Sequence, residues 1–270
     1  MTRERHDPDP EGAARWIAER LARPAPFIGD LPAELRPGDV AQAYRVQRRL
    51  AEHLTAAGRG PVVGWKVGST TPAMQRLLGV PTPAAGRVHA AGRLADGAVM
   101  RHAGLRRPGI ECEVAVVLAR TLDARAGLPG LDAVAAAVAA VHPAIELVDD
   151  RYGDFGAVGA PTMIADNFFH AALVLGAPVP GGAGLDLAAV DGVVLADGAE
   201  RARGRGTDVL GHPLRSVQWL AACLAEQGEV LAAGQIVSTG SMTLPYWAGA
   251  GERIEVRIAG LGSVALTLAG

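Results

Sequence analysis

Two glutamates interrupt a stretch that is otherwise as apolar as a buried strand. The stretch is PGIECEVAVVL (108–118), and its carboxylates belong to Glu111 and Glu113. Because alternate residues of a strand point to the same side, both glutamates share a face with Ala115 and Val117. A solvated face would continue with polar residues, whereas carboxylates inside a protein are paired or bind a metal ion. The spacing therefore raises two alternatives, a wet strand edge or a cation site.

A third carboxylate stands in another apolar stretch, HPAIELVDD (142–150), which contains Glu146. Glutamates from two neighbouring strands could converge on one divalent cation. Ligation by oxygen alone favours Mg²⁺ or Mn²⁺ over zinc or copper. The residues by themselves do not decide between this site and an E-x-E pair that faces water at a strand edge.

The elements that must position these carboxylates are predicted to be short strands. Apolar runs bounded by Gly and Pro predict them at 62–68, 98–102, 111–119, 142–149, 172–176, 190–196, 235–240 and 253–268. Helices are predicted over 131–141 and 213–228, and His212 is expected to have a structural role where the second one begins. The pattern is typical of a β-dominated α+β fold.

Two helices are predicted ahead of these strands, over 9–23 and from residue 40 onward. Asp39 is the expected N-cap of the second helix, and Gly58 is its expected C-cap. We therefore predict an N-terminal helical extension over 1–60 and a β-rich domain over 61–270 that holds the site.

Composition and charge narrow the classes of partner. The chain has 270 residues, of which 49% are hydrophobic and 20% charged, as in globular proteins. A net charge of −2 without a basic block argues against nucleic acid. Cys112 and Cys223 lack metal-ligand spacing and are expected to be buried thiols in a reducing compartment. No signal segment and no membrane-length apolar run are found, so we expect no membrane partner and a cytoplasmic location.

Several stretches together resemble one enzyme family. The chain is similar to the fumarylacetoacetate hydrolase superfamily, specifically to its branch of 2-keto-4-pentenoate hydratases and 4-oxalocrotonate (2-oxo-3-hexenedioate) decarboxylases. The matching stretches follow in order over most of the chain, at 39–47, 64–80, 110–118, 141–155, 164–176, 211–243 and 251–264.

The resemblance implies a fold, a cofactor and a set of site residues. The fold would be a mixed, rolled β-sheet domain in a symmetric homo-oligomer. A Mg²⁺ or Mn²⁺ ion would be chelated by a 2-oxo acid from aromatic catabolism, and its protein ligands would be Glu111, Glu113 and Glu146. Lys66 in GWKVG would bind the substrate and take part in catalysis, and further substrate contacts would come from Ser241 and Asp166.

The chain also departs from the family pattern. The family carries Pro-Asp-Tyr-Gly after LGV, whereas this chain has Pro-Ala-Ala-Gly at 83–86, so that Ala84 replaces an aspartate able to transfer a proton. The candidate substitutes are His89, Asp154 and His170. The aromatic pair Phe168 and Phe169 stands where the family has small residues, and it would reshape the pocket if it faces the pocket.

The first functional hypothesis is a metal-dependent hydratase of 2-oxo-alkenoates. The runner-up is a decarboxylase of a 2-oxo-enedioate, since the same electron sink would accept the pair left by CO₂. Two further hypotheses are hydrolysis of a C–C bond in an acylpyruvate and a non-catalytic subunit that keeps the fold. The replacement of the family aspartate by Ala84 favours the hypothesis of a non-catalytic subunit.

Overall fold

The computed structural model describes residues 9–23, 27–80, 82–180 and 184–270. The opening helices begin where the sequence predicts. Helix α1 (Pro10–Leu21) is capped by Asp9, and α2 (Val40–Leu54) is capped by Asp39, which accepts a hydrogen bond from the Gln42 amide at 2.8 Å. These side chains satisfy amide groups that the first turn of a helix leaves without a partner.

The predicted C-cap at Gly58 is wrong. Helix α2 ends at Leu54 and continues as a turn of π-helix over Thr55–Arg59, with Gly58 inside that turn at a φ of 87°. Four shorter or later helices follow, α3 (Pro72–Leu78), α4 (Leu131–Ala136), α5 (Ala160–Ala165) and α6 (Pro213–Glu226). The side chain of His212 accepts the Leu214 amide at the start of α6, so its predicted structural role is confirmed.

The strands form two sheets. They are β1 (Val62–Gly68), β2 (Ala84–His89), β3 (Arg93–Ala95), β4 (Ala98–Arg101), β5 (Pro108–Leu118), β6 (Val138–Asp149), β7 (His170–Leu175), β8 (Val179–Pro180), β9 (Asp191–Ala196), β10 (Ala199–Arg205), β11 (Ile236–Ser241), β12 (Tyr246–Trp247), β13 (Arg253–Ile258) and β14 (Gly262–Ala269). The larger sheet has the order β2-β1-β11-β5-β6-β7-β3, with β12 beside β5 and β8 beside β6. The smaller sheet has the order β10-β9-β13-β14-β4.

Both sheets are mixed. The pairs β1–β11, β3–β7 and β4–β14 are parallel, and the other pairs are antiparallel. The predicted mixed-sheet α+β fold with an N-terminal helical extension is thus confirmed.

The helix predicted over 131–141 is wrong beyond Ala136. The alanine-rich stretch leaves the helix and enters β6, where Val138 and Ala140 pair with Leu118 and Val117 of β5. Pairing with an eleven-residue buried neighbour outweighs the helix propensity of alanine.

Helix α2 is tied to the larger sheet and to α5 by buried hydrogen bonds. The hydroxyl of Tyr44 accepts the Ala85 amide at 3.0 Å. The side-chain amide of Gln47 donates to the carbonyls of Ala85 and Ile164, both at 2.8 Å. The predicted domain division at residue 60 stays a prediction, and it includes residues outside the described ranges. Among the described helices, none has the length and apolar composition needed to cross a membrane.

Candidate metal centre and substrate pocket

The three glutamates meet on one face of the larger sheet. Glu111 of β5 lies directly opposite Glu146 of β6, and Glu113 pairs with Ser241 of β11. Each glutamate offers one carboxylate oxygen, and these oxygens lie within 4.8 Å of one another. Cys112, between the two β5 glutamates, faces the smaller sheet, since its Sγ lies 2.7 Å from where a Cβ on Gly192 would be. The wet-edge alternative is therefore wrong, because Glu111, Glu113 and Glu146 are all buried.

The hydrogen bonds of the cluster leave oxygen atoms for a cation. Oε2 of Glu113 accepts from the Ser238 hydroxyl at 2.5 Å and from the Gly240 amide at 2.9 Å. Oε1 of Glu146 accepts from His170 Nδ1 at 2.9 Å and lies 3.2 Å from the Lys66 ammonium. The second oxygen of Glu113 and that of Glu146 have no hydrogen-bond partner among the described residues. Buried carboxylate oxygens of this kind fit a hard divalent cation such as Mg²⁺ or Mn²⁺.

Gly240 is required at its position for two reasons. Its φ of 110° is disfavoured for residues with a side chain, and this backbone conformation accompanies an amide that donates to Glu113. A Cβ on Gly240 would also lie 2.3 Å from the Thr70 hydroxyl.

The carboxylates repel one another when no cation balances them. Burial, followed by the neighbouring charge of Glu146, raises the pKa of Glu111 to about 8. Burial and the charges of Glu146 and Glu111 also raise the pKa of Glu113 well above its usual range. Burial alone would do the same to Glu146, but the Lys66 ammonium and the His170 hydrogen bond hold its pKa below the usual value. The cluster thus favours added positive charge.

These shifts predict a pH-dependent affinity for metal. A cation must displace the proton from Glu111, so the affinity for Mn²⁺ should rise by up to about tenfold per pH unit for each displaced proton as the pH approaches 8. The metal-free protein should show the opposite trend. A raised pKa contributes stability below the usual value of 4.5, and this contribution is lost as the pH rises through about 8. Calorimetric titration of Mn²⁺ at several pH values, in buffers of different ionisation enthalpy, measures both the affinity and the protons released. An affinity that is flat between pH 6 and about 8 would contradict this assignment.

Lys66 is held in a slot beside the cluster. Its side chain is buried, its Nζ lies 4.8 Å from the centre of the Phe168 ring, and its stem passes close to Gly86. A cation over an aromatic face is favourable when both groups are desolvated. The same ring fills the space above Gly68, where a Cβ would lie 2.5 Å from its edge. Phe168 therefore fixes the position of the ammonium.

Phe168 belongs to a strained turn. Asn167, Phe168 and Phe169 have φ values of 62°, 50° and 64°, in the left-handed region that side chains disfavour. The side chain of Asn167 helps to hold this turn, because its amide donates to the Arg87 carbonyl and its oxygen accepts the Arg87 amide. Phe169 packs edge-on against Tyr152, Phe155 and Phe168. Packing within this aromatic cluster thus offsets the strain of the turn. The turn places the rings of Phe168 and Phe169 in the wall of the pocket.

A narrow pocket opens onto Lys66 and Glu111. Its enclosed space is about 40 Å³, and most of its walls are apolar. The lining residues are Lys66, Gly68, Ser69, Thr70, Met74, Leu77, Leu78, Glu111, Val148, Asp150, Phe155, Phe168, Phe169, Ser241, Pro245 and Trp247. Ser241 points its hydroxyl at the Thr243 carbonyl, 2.8 Å away. The arrangement places a cation site and an ammonium at one end of an apolar slot.

Comparison with known proteins accounts for this arrangement. Residues 46–269 match the family model described as fumarylacetoacetate (FAA) hydrolase C-terminal. The chain belongs to the fumarylacetoacetate hydrolase family. It is 38% identical to a 2-keto-4-pentenoate hydratase of Paraburkholderia phymatum, over 84% of this chain and 85% of that one. It is 35% identical to a 4-oxalocrotonate decarboxylase of Pseudomonas putida, over 83% of each chain.

A solved structure within the fumarylacetoacetate hydrolase family is also close. The 4-oxalocrotonate decarboxylase from Pseudomonas putida G7, complexed with magnesium and adipate, superposes with a TM-score of 0.87. It is 32% identical, and the match covers 96% of this chain and 97% of that one. The predicted family and fold are therefore confirmed, and the buried acidic cluster is consistent with a metal-dependent enzyme of this family.

Three of the predicted site residues are not brought to the pocket. His89 lines a different cavity, where its Nδ1 bonds the Gly60 carbonyl. Asp154 is exposed and caps a turn through the Gly156 amide. Asp166 is buried, but its carboxylate pairs with Arg151 at 2.9 Å and does not line the pocket. The sequence pattern places these residues near the site in the chain, but none of the three lines the pocket.

His170, the third candidate for proton transfer, contacts the acidic cluster through its hydrogen bond to Glu146. Ala84 is fully buried in β2 and cannot carry a proton.

Asp150 is a pocket residue that the sequence did not single out. Asp149 at the end of β6 and the next two residues, Asp150 and Arg151, are all buried. The carboxylate of Asp150 lines the pocket and lies 3.4 Å from the Arg107 guanidinium. The signal available in the sequence was an acidic residue shortly after the apolar stretch that contains Glu146.

Proposed function

We propose that this protein is a divalent-metal-dependent hydratase that adds water to a short 2-oxo-alkenoate. The observation that carries the proposal is the buried Glu111, Glu113 and Glu146 cluster, with the Lys66 ammonium beside it at the end of an apolar slot. The similarity to 2-keto-4-pentenoate hydratases supports the choice of substrate class.

A bound Mg²⁺ or Mn²⁺ would supply Lewis-acid polarisation of the carboxylate and 2-oxo oxygens. Lys66 lines the slot, and its ammonium would donate a hydrogen bond to the oxygen that gains negative charge in the enolate. Ser241, also in the lining, would turn its hydroxyl from the Thr243 carbonyl to the substrate carboxylate. Apolar side chains exclude bulk water around the carbon chain, which strengthens these charged contacts.

Proton transfer has few candidates. Among the described residues, the titratable groups that line the slot are Lys66, Glu111 and Asp150. Glu111 belongs to the acidic cluster, so we assign proton transfer at the substrate carbon atoms to Asp150, with Lys66 next to the oxygen. Hydration then places the oxygen of water on the alkene carbon. One proton of water goes to Asp150, and the carbon next to the 2-oxo group receives a proton in return. This assignment replaces the predicted roles of His89 and Asp154.

The function is tested by product analysis. The protein with Mg²⁺ or Mn²⁺ is incubated with 2-hydroxypenta-2,4-dienoate and, separately, with 2-oxo-3-hexenedioate. We expect a 4-hydroxy-2-oxo acid from the first compound, and no product from the Glu113→Gln variant. CO₂ release from the second compound alone would identify a decarboxylase. Inactivity on both compounds would reject both assignments and favour a non-catalytic relative.

Decarboxylation of a 2-oxo-enedioate is a second candidate, supported by a cation at the rim of the slot. The Arg107 guanidinium lies 4.1 Å from the centre of the Trp247 ring and 3.4 Å from Asp150, and its side chain is 43% exposed. It could pair with the distal carboxylate of a dioic acid. If the protein is a decarboxylase, Arg107→Gln should raise the KM for the enedioate by about tenfold. Equal effects on monoacid and diacid would contradict a role for Arg107 in selecting the diacid.

Phe168 is predicted to limit the length of the substrate tail. Phe168→Ala removes a ring that fills the space beside Gly68, so the slot should accept alkenoates longer by two or three carbon atoms. We expect the kcat/KM ratio of long to short substrates to rise by about 10–100-fold. A series of 2-hydroxy-2,4-dienoates of increasing length measures this change. Phe155→Ala is the comparison, because it removes another ring that lines the slot and packs edge-on against Phe169, so a larger rise in Phe168→Ala separates the effect of Phe168 from general loosening of the aromatic cluster. An unchanged ratio would show that the ring does not limit the tail.

The proposed partner is a small 2-oxo acid from aromatic catabolism. A homo-oligomer in the cytoplasm, expected from the sequence, remains part of the proposal. Size-exclusion chromatography with light scattering tests the oligomeric state.

A further inference from the structure

A second cavity lies behind the acidic cluster, between the N-terminal helices and the larger sheet. Its enclosed space is about 390 Å³, within the range of small-molecule sites. The ends of α1 and α2, the π-helical turn and the segments after β2 and β6 form its walls. None of the groups assigned to the proposed reaction uses this cavity.

Two buried imidazoles present unused nitrogen atoms to the cavity. His89 Nδ1 bonds the Gly60 carbonyl at 2.9 Å, and His170 Nδ1 bonds Glu146 at 2.9 Å. Both partners can only accept, so Nδ1 carries the hydrogen in each ring and Nε2 of the neutral ring is an acceptor. Neither Nε2 has a hydrogen-bond partner among the described residues, although His89 and His170 are only 5% and 7% exposed. Buried acceptors of this kind call for a donor.

A guanidinium stands close to these nitrogen atoms. Nη2 of Arg59 and Nε2 of His170 lie 4.0 Å and 3.9 Å from the position that a Cβ on Gly92 would take. His89 lines the same cavity, and burial lowers the pKa of its imidazole. Arg59 forms no ion pair with any described residue. By contrast, Arg106 contacts Asp149, and Arg151 contacts Asp166.

We propose that this cavity is a binding site for a small hydroxy acid. The carboxylate would pair with Arg59 at the rim, and the hydroxyl would donate its hydrogen to one of the two imidazole nitrogen atoms inside. The carbon chain would lie against the apolar part of the wall, which consists of Leu21, Leu54, Met100 and Leu105. A plain carboxylate offers no donor to either nitrogen atom, whereas a hydroxy acid supplies one, which is why the hydroxyl decides the ligand class.

The site is connected to the acidic cluster by one side chain. The His170 ring contacts the cavity through Nε2 and Glu146 through Nδ1. A ligand that fixes this ring therefore also fixes the Glu146 carboxylate. By linkage, occupation of the cavity and binding of Mn²⁺ to the cluster must change each other's affinity by the same factor.

The experiment uses three matched probes on the Mg²⁺-loaded protein. Calorimetry with 3-hydroxybutyrate, butyrate and 1,3-butanediol compares ligands with both groups, without the hydroxyl and without the carboxylate. We expect 3-hydroxybutyrate to bind at least about tenfold more tightly than either relative. When Mn²⁺ is titrated into the metal-free protein, 3-hydroxybutyrate at saturation should change the Kd for Mn²⁺ by about fivefold or more.

Variants separate this cavity from the substrate slot. Gly92→Leu should abolish binding of 3-hydroxybutyrate by filling the cavity, and it should fold, since the nearest atom to its Cβ is 3.5 Å away. Arg59→Gln, at an exposed residue, should weaken binding about tenfold. Leu77→Trp, which narrows the substrate slot, is the control and should leave the Kd unchanged.

Several results would overturn the proposal. They are the absence of 3-hydroxybutyrate binding, equal binding of butyrate, and loss of binding in Leu77→Trp but not in Gly92→Leu. Binding that leaves the Kd for Mn²⁺ unchanged would overturn the connection through His170. Hydratase activity is not measured in any of these tests, and only the Mn²⁺ titration uses the metal site on which the proposed function rests.

Discussion

Glu113→Gln should weaken Mn²⁺ binding by roughly 100-fold or more and abolish detectable turnover. The amide keeps the shape of the side chain, and its oxygen can still accept from Ser238 and from the Gly240 amide. Its NH₂ group then takes the place of the carboxylate oxygen that has no partner among the described residues. A donor replaces an anionic acceptor at the point where the carboxylate oxygens converge, which explains the large effect.

The same variant should be stable without metal. Burial and the neighbouring carboxylates already disfavour the charged form of Glu113, as its raised pKa indicates, so a neutral amide removes repulsion. At a Mn²⁺ concentration of about 100 times the wild-type Kd, binding stabilises the wild type by about 2.7 kcal/mol, whereas the variant would gain about 0.4 kcal/mol. Thermal unfolding with and without Mn²⁺ measures this difference.

The control for charge is Glu200→Gln, at an exposed carboxylate of β10 that pairs with Arg203. It should leave both the Kd for Mn²⁺ and the melting temperature close to those of the wild type. A Glu113→Gln variant with unchanged Mn²⁺ affinity would show that the acidic cluster is not the metal site.

The acidic cluster was only partly predictable from the sequence. Alternate residues of a strand point to the same side, so a single strand already places Glu111 and Glu113 on one face. Their convergence with Glu146 depends on the register in which β5 pairs with β6, which sets Glu111 opposite Glu146. A slip by one residue would turn Glu146 to the other face. Register is fixed by packing over the whole sheet. The residues alone therefore left open a wet strand edge or a cation site, and the family resemblance favoured the cation site.

The pocket walls were less predictable still. The left-handed turn over 167–169 contains no glycine that would predict it. Nothing in the local sequence therefore indicates that Phe168 lies over Lys66. Similarly, the alanine-rich stretch that becomes part of β6 has the composition of a helix until its pairing partner is known. Long-range contacts overrule local propensity in both places. This is also why His89 and Asp154 are plausible proton carriers in the sequence but do not line the slot in the structure.

Lys66→Met should affect the enzyme in a different way from Glu113→Gln. The substitution keeps an unbranched apolar stem in the slot and removes the ammonium. If this group stabilises the enolate oxygen, kcat should fall by about 100–1000-fold. The metal-free variant should also lose stability, by about 3–5 kcal/mol, because Glu146 would remain buried without its partner 3.2 Å away. The pKa of Glu146, now held below the usual range by Lys66 and His170, should rise in the variant.

The affinity for metal distinguishes a substrate contact from a structural role of Lys66. An ammonium beside Glu146 repels a second cation, so its removal should leave the Kd for Mn²⁺ unchanged or lower it, whereas Glu113→Gln raises it. Excess Mn²⁺ should then restore much of the melting temperature of Lys66→Met, but not its kcat. Recovery of kcat together with stability would mean that Lys66 acts only by holding Glu146. Loss of both metal binding and turnover, to the extent seen for Glu113→Gln, would equally exclude a direct contact with the substrate as its main role.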